Sequence, residues 1–216
     1  ANLEVPGLPA PPFEIHPEQK IRGLVRAAAE AGLQFAQTLD AKLDVFLGIV
    51  AAQKVATTIL QQHSVVSHGD LDQKNVLWDA SDSPLLIDWE SARKLNPTYE
   101  IVLAALDWSG FSSTFDHSLF SKIIAAYAGA GGLIEAGAVD AALRCILGDW
   151  LNWLMYNVGR CVYLEDAEQR RLGAQQIEFT LPIVLRLQRQ LPELLSLFEN
   201  GYGNAMIRSG VKRHGQ

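Results

Sequence analysis

From residue 18 onward the apolar positions fall at helical spacing. Ile21, Leu24, Val25, Ala28, Ala29, Leu33, Phe35, Ala36 and Leu39 follow one such rhythm. His16-Pro17-Glu18 opens this helix, with Pro17 suited to its first turn. A second helix is predicted from about Asp40 to Gln62, with Leu43, Phe46, Leu47, Val50, Ala51, Val55 and Ile59 on its apolar face. The texture then changes. Ser64-Val-Val-Ser67, Asn75-Val-Leu-Trp78 and Leu85-Leu-Ile87 are short runs rich in branched apolar residues, and 79–84 is a cluster of turn residues. Val76 to Trp78 and Leu85 to Ile87 are predicted to pair as a hairpin. Helical periodicity returns after Pro97, over about 97–108, 118–128, 138–164 and 166–191, with 129–132 as a glycine loop. Beyond Asn200, Gly201, Gly203, Gly210 and the basic Lys212-Arg213 predict a frayed tail.

The pattern is that of an α+β chain, predominantly helical, with a small β insert. Five prolines in the first 17 residues predict a linker or lobe connection over 1–17. The main body is then 18–200 and the tail 201–216. With 216 residues, 49% of them hydrophobic, the chain can bury a sizeable core. A net charge of −6 argues against nucleic acid or an anionic membrane surface as the main partner. No apolar run reaches the roughly 18 to 20 residues of a membrane span; residues 43–52 come closest, with Asp44 inside them. Cys145 and Cys161 fall in one predicted helix, about 24 Å apart at its rise per residue, and cannot bridge. A reducing, cytoplasmic setting is the expectation.

The β insert carries the chemistry. It reads Ser67-His68-Gly69-Asp70-Leu71-Asp72-Gln73-Lys74-Asn75-Val76-Leu77, then Leu86-Ile87-Asp88-Trp89-Glu90. Asp70 follows one strand, and Asn75, five residues on, starts the next. A loop of that length can fold back so that both side chains meet in one cleft, and Asp88, expected to end the hairpin's second strand, falls near the same place. Oxygen ligands of this kind suit Mg²⁺, which takes the rest of its shell from water and phosphate. The remaining acid can accept a proton from a substrate hydroxyl.

This is the layout of a kinase catalytic loop followed by a metal-binding Asp. The segment resembles the aminoglycoside phosphotransferase and choline kinase family, a branch of the protein-kinase-like fold. The two motifs have matching internal spacing. The resemblance implies the C-terminal lobe of that fold, with Asp70 as catalytic base, Asn75 and Asp88 as Mg²⁺ ligands and His68 bracing the loop. Asn96-Pro97-Thr98-Tyr99-Glu100 is similar to a later family motif whose acid ties a helix to the catalytic loop; Glu100 stands where the family has Asp. The implied activity is ATP-dependent phosphoryl transfer to a hydroxyl on a small-molecule acceptor.

Two departures stand out. Asp72 occupies the position where protein kinases have a lysine and the small-molecule branch usually a histidine, which argues against a protein kinase. Lys74 either supplies that charge or is a solvated loop lysine. The 69 residues before Asp70 contain no glycine-rich phosphate loop and no strand lysine. The expectation is therefore a chain without a nucleotide-binding lobe, inactive by itself, the parent protein being the phosphotransferase. Self-association through the surface left by that lobe is expected too. The rival from another class is a non-catalytic binding or scaffold module.

Plainer readings exist for several residues. Asp70, Asn75 and Asp88 are also ordinary turn and cap residues. His63 and His68 with Asp70 invite a metal-hydrolase reading, although His63 ends a helix. Trp150, Trp153 and Tyr156 share helical spacing, which serves a core as readily as an acceptor pocket. Asp149 lies four residues before Trp153 on the same face, placed either for a substrate ammonium or for solvent. Asp149 and Trp153 are thus the candidate substrate-binding residues.

Overall fold

Gly32 decides how the first helical stretch ends. In the computed structural model, which describes residues 13–208, α1 (Glu18–Glu30) stops where Gly32 takes φ +65°. Gly32 N donates to Ala29 O and Leu33 N to Ala28 O, each at 3.0 Å. This paired closure satisfies the last carbonyls of α1, and the left-handed residue at its centre favours glycine. The single apolar rhythm therefore becomes two helices, α1 and the short α2 (Ala36–Ala41), followed by α3 (Leu43–Leu60). Residues 13–17 precede α1 without helix; the rest of the expected linker lies outside the described residues.

Four short strands follow. β1 (Val65–Ser67) pairs antiparallel with β4 (Arg93–Leu95), Val65 opposite Leu95. β2 (Val76–Trp78) pairs with β3 (Pro84–Leu86), Trp78 opposite Pro84. The hairpin's second strand thus sits one residue earlier than its apolar run suggested. Asp79 is the reason: its Oδ1 accepts from Ser81 N at 2.8 Å and Ser83 N at 2.9 Å, closing the turn so that Pro84 meets Trp78. β4 has no apolar alternation and exists through its pairing with β1.

The remaining helices are α4 (Pro97–Trp108), α5 (His117–Gly129), α6 (Val139–Tyr163) and α7 (Ala167–Arg208). Asn96 caps α4 by accepting from Thr98 N, and Asp116 caps α5 by accepting from Leu119 N. α7 corrects the expected tail: the helix does not stop near 191 or fray at Asn200 but runs through Pro182 and Pro192 to Arg208. Its apolar face continues at Leu187, Leu191, Leu194 and Phe198, all buried. A Cβ on Gly201 would lie 2.7 Å from Ser121 O, so glycine lets this turn approach α5 closely. Residues 209–216 lie outside the described residues.

The chain forms two compact units. One holds Thr58–Leu143 and the chain from Leu191, with both strand pairs, α4 and α5; its core includes Val102, Leu106, Phe120, Ile124, Leu143 and Phe198. The other holds Phe13–Thr57 and Arg144–Gln190; Ile21, Leu24, Leu39, Phe46, Ile146, Leu151 and Leu154 fill its core. By length and composition α3 is apolar enough to cross a bilayer, a helix the run of residues 43–52 did not reveal. Its Phe46, Ile49, Val50 and Ala56 are buried in the protein. Both cysteines are free and buried.

Candidate active site

The loop between β1 and β2 is built around a glycine. Gly69 has φ +81°, and a Cβ there would lie 2.3 Å from Ser91 O. Conformation and space both demand glycine. Its N–H donates to Glu100 Oε1 at 2.9 Å, fastening the loop to the first turn of α4. Trp108, at the other end of α4, donates from Nε1 to Leu71 O at 3.0 Å, and Gln73 Nε2 donates to Trp108 O at 3.3 Å. One helix thus grips the loop at both ends.

Within this loop Asp70 and Asn75 meet directly. Asn75 Nδ2 donates to Asp70 O at 2.8 Å and to Asp70 Oδ2 at 2.9 Å. Asn75 is buried, whereas 42% of the Asp70 side chain is exposed. The amide is turned so that its nitrogen faces Asp70, which leaves Oδ1 as the atom for another partner. Asp72 begins the short turn Gln73–Asn75 by accepting from Gln73 N. Lys74 Nζ lies 3.4 Å from Asp70 Oδ2 and 3.5 Å from Asp72 Oδ2. These carboxylates, Asp70 first, hold the lysine above its ordinary pKa. The lysine is 64% exposed and the pairs are worth little to stability.

Asp88 comes to the loop through its neighbour. Ile87 N donates to Asn75 O at 3.0 Å, and Ile87 O accepts from His68 Nε2 at 2.8 Å. With that proton on Nε2, His68 Nδ1 accepts from Asp70 N at 3.4 Å. The buried His68 ring also packs on Trp89, with centroids 4.7 Å apart. Asp88 itself takes φ 63°, ψ 58°, a left-handed conformation that aspartate tolerates better than most residues. It lies two residues beyond β3 rather than at the strand's end. Among the described residues no group of three or more His, Cys, Asp or Glu side chains could hold a metal ion. His63 is not beside His68 and Asp70 in any such group; it pairs with Glu135, which also accepts from Asn96 Nδ2 at 2.8 Å.

The sequence reading missed Asp107. This α4 carboxyl lines a cleft with Gly69, Asp70 and Glu100. Burial, then the charges of Asp72 and Asp70, push it up to about 6. Its signal was its position seven residues after Glu100, two turns along one helix face. Asp149 and Trp153, by contrast, belong to the other unit. They line a cavity of about 410 Å³ together with Glu14, His16, Lys20, Asn152 and Tyr156. Trp153 is 43% exposed and stacks on Tyr156, so it is not a core residue, while Trp150 tilts against Phe179.

The model of the phosphotransferase enzyme family matches residues 5–138, more than half of the chain and the whole of the Asp70–Asp88 segment. The chain belongs to the phosphotransferase enzyme family. As a member it is an enzyme-family chain of predominantly helical α+β fold, and Asp149 and Trp153 lie beyond the matched residues. Among solved structures, an ethanolamine kinase from Plasmodium vivax is similar over 85% of this chain and 53% of its own, at 16% identity and a TM-score of 0.46. The chain spans about half the length of that protein. No curated protein matches the sequence.

Proposed function

We propose that this phosphotransferase family member serves ATP-dependent transfer of a phosphoryl group to a hydroxyl of a small molecule, aminoglycoside-like compounds among the candidate acceptors. The observation that carries the reading is the Asp70–Asn75 pair within a loop that Glu100 and His68 fix from two sides.

The Asp70 carboxylate is the group placed to orient the acceptor hydroxyl and take its proton. Asn75 holds that carboxylate through Nδ2 and so limits the rotamers it visits. Such positioning is a large part of catalysis in phosphoryl transfer. The residues present fit Mg²⁺. Asn75 Oδ1 is the amide atom turned away from Asp70, and Asp88 adds a carboxylate, so both donors are hard oxygens. Those two residues would hold the ion, with ATP as co-substrate. When bound, it supplies positive charge against the phosphate oxygens. Lys74, drawn to Asp70 and Asp72, adds a further cation beside the loop.

The reading extends to setting and partners. Two free, buried thiols are compatible with a reducing cytoplasm. Self-association is supported by the exposed Leu77, Trp78, Leu85 and Trp89 on and beside the β2–β3 hairpin. The test of function is transfer of the terminal phosphate of ATP, by the product of the whole reading frame, to a panel of aminoglycosides, amino alcohols and sugars. Transfer to at least one acceptor is expected; none across the panel contradicts the reading.

A further inference from the structure

Lys74 rises from a stretch of loop whose backbone is pinned on both sides. Before it, Leu71 O accepts from Trp108 Nε1 at 3.0 Å, and the Gln73 side chain donates to Trp108 O at 3.3 Å. After it, Asn75 is buried; its N donates to Asp72 O at 3.0 Å and its side chain donates to Asp70. The turn Gln73–Asn75 therefore carries Lys74 on a fixed base, although the side chain itself is largely exposed.

The two acids beside Lys74 divide their oxygens. Asp72 Oδ1 accepts from Gln73 N and caps the turn, while Oδ2 faces Lys74 Nζ at 3.5 Å. Asp70 Oδ2 takes both Asn75 Nδ2, at 2.9 Å, and Lys74 Nζ, at 3.4 Å, which leaves Oδ1 without a partner among the described residues. An ammonium has three donors. Two face these carboxylates, and the third remains for another acceptor. Stability does not account for the arrangement, because exposed pairs of this kind contribute little. Charge does. Asp70 and Asp72 lie on the loop, and Asp107 lines the cleft beside Asp70. Such a group of carboxylates repels a triphosphate, and Asp72 stands where protein kinases have a lysine. At Asp107 the charge of Lys74 opposes those of Asp70 and Asp72, so its field enters the cleft.

We infer that Lys74 is a catalytic residue of the phosphoryl-transfer site, donating to the oxygens of the phosphoryl group in transit, and that Asp72 positions it. The inference rests on the phosphoryl-transfer reading and adds a contact to it. The cation comes four residues after the base, and the acid that takes the usual lysine position holds it there. In the step, the acceptor's proton passes to Asp70 Oδ1 as its oxygen bonds to phosphorus. The bond from phosphorus to the ADP oxygen breaks, and its electron pair leaves on ADP. Lys74 keeps its protons and only donates. A positive group already in place where negative charge spreads over the phosphoryl oxygens has nothing to rearrange at the moment of reaction.

Calorimetry with ATP and with ADP, each with Mg²⁺, on the product of the whole reading frame tests this contact apart from turnover. Only ATP carries the terminal phosphate that Lys74 meets. In Lys74→Gln the preference for ATP over ADP should fall by about tenfold, with ADP affinity and melting temperature unchanged. Transfer should slow by about a hundredfold in the same variant. Lys74→Arg keeps the cation and should keep most of the preference. Asp72→Asn keeps a capping oxygen but loses the charge, so it should lower the preference while the fold stays intact; a wild-type preference there would remove its positioning role. An unchanged preference in Lys74→Gln, or equal weakening of ATP and ADP, would overturn the inference. No ATP binding by the wild type overturns the phosphoryl-transfer reading with it. Transfer by the wild type, together with an unchanged preference in Lys74→Gln, overturns this inference alone.

Discussion

Asn75 donates twice to one residue: its Nδ2 reaches both the carbonyl and the carboxylate of Asp70, at 2.8 and 2.9 Å. A buried amide thereby holds a half-exposed acid in place. Removing the donor leaves the Asp70 carbonyl short of a partner. Asn75→Ala is expected to lower stability by about 1 to 3 kcal/mol. Asn75→Asp should lower it further at neutral pH, because it sets a second carboxylate against the first. Urea unfolding of the three proteins checks the order; an unchanged midpoint in both variants contradicts it.

Asp107 makes stability depend on pH. Its folded-state value of about 6 lies above the ordinary 3.8, chiefly through burial. The folded protein thus holds a proton that the unfolded chain has released between those values. Stability falls as pH rises through that window, and the cost is complete above it, at most about 3 kcal/mol. Asp107→Asn removes the titrating group, so the variant should be the more stable protein near pH 7 and show a flatter profile from pH 4 to 6. Melting temperatures across that range test this. A wild-type profile that rises through the window would show the opposite sign.

The end of α7 offers a separate test. Leu194 and Phe198 are almost fully buried, and His117 Nε2 pairs with Glu193 Oε1 at 3.1 Å, joining α5 to the segment expected to fray. Leu194→Ala is expected to cost about 2 to 5 kcal/mol, as for other buried leucines. A change within about 0.5 kcal/mol, the scale of surface substitutions, would mean that the helix beyond Leu191 does not pack.

The sequence was informative where local chemistry dictates local structure. His68-Gly69-Asp70 and Asn75 could be placed on one loop because a β-rich pair of runs brackets them, and the Asn96-Pro97 start of α4 carries its own capping chemistry. It misled where tertiary packing overrides local signals. The glycines past Asn200 read as a frayed tail, yet a continuing buried stripe and the close approach of Gly201 to Ser121 keep the helix going. β4 was invisible because Arg93-Lys94-Leu95 has no alternation of its own. The cavity around His16 and Asn152 was illegible for a similar reason: its two walls are more than a hundred residues apart, and only Asp149 and Trp153 stood out.

The metal reading can be checked without turnover. With ATP present, Mn²⁺ in place of Mg²⁺ should broaden backbone amide resonances selectively near Asn75 and Asp88, because a paramagnetic ion relaxes nearby nuclei. Asp88→Asn should remove most of that effect. Broadening that spares both segments, or that persists unchanged in Asp88→Asn, would take the ion elsewhere.

The central claim is that Asp70 is the base of a phosphotransfer site. It is tested most directly by the rate at which the product of the whole reading frame moves labelled phosphate from ATP to its acceptor, in the wild type and in Asp70→Asn. The variant keeps an oxygen and the residue's shape but cannot take the proton. A loss of roughly a hundredfold or more, with an unchanged melting temperature, is the expected result. Transfer by Asp70→Asn at the wild-type rate would contradict the account.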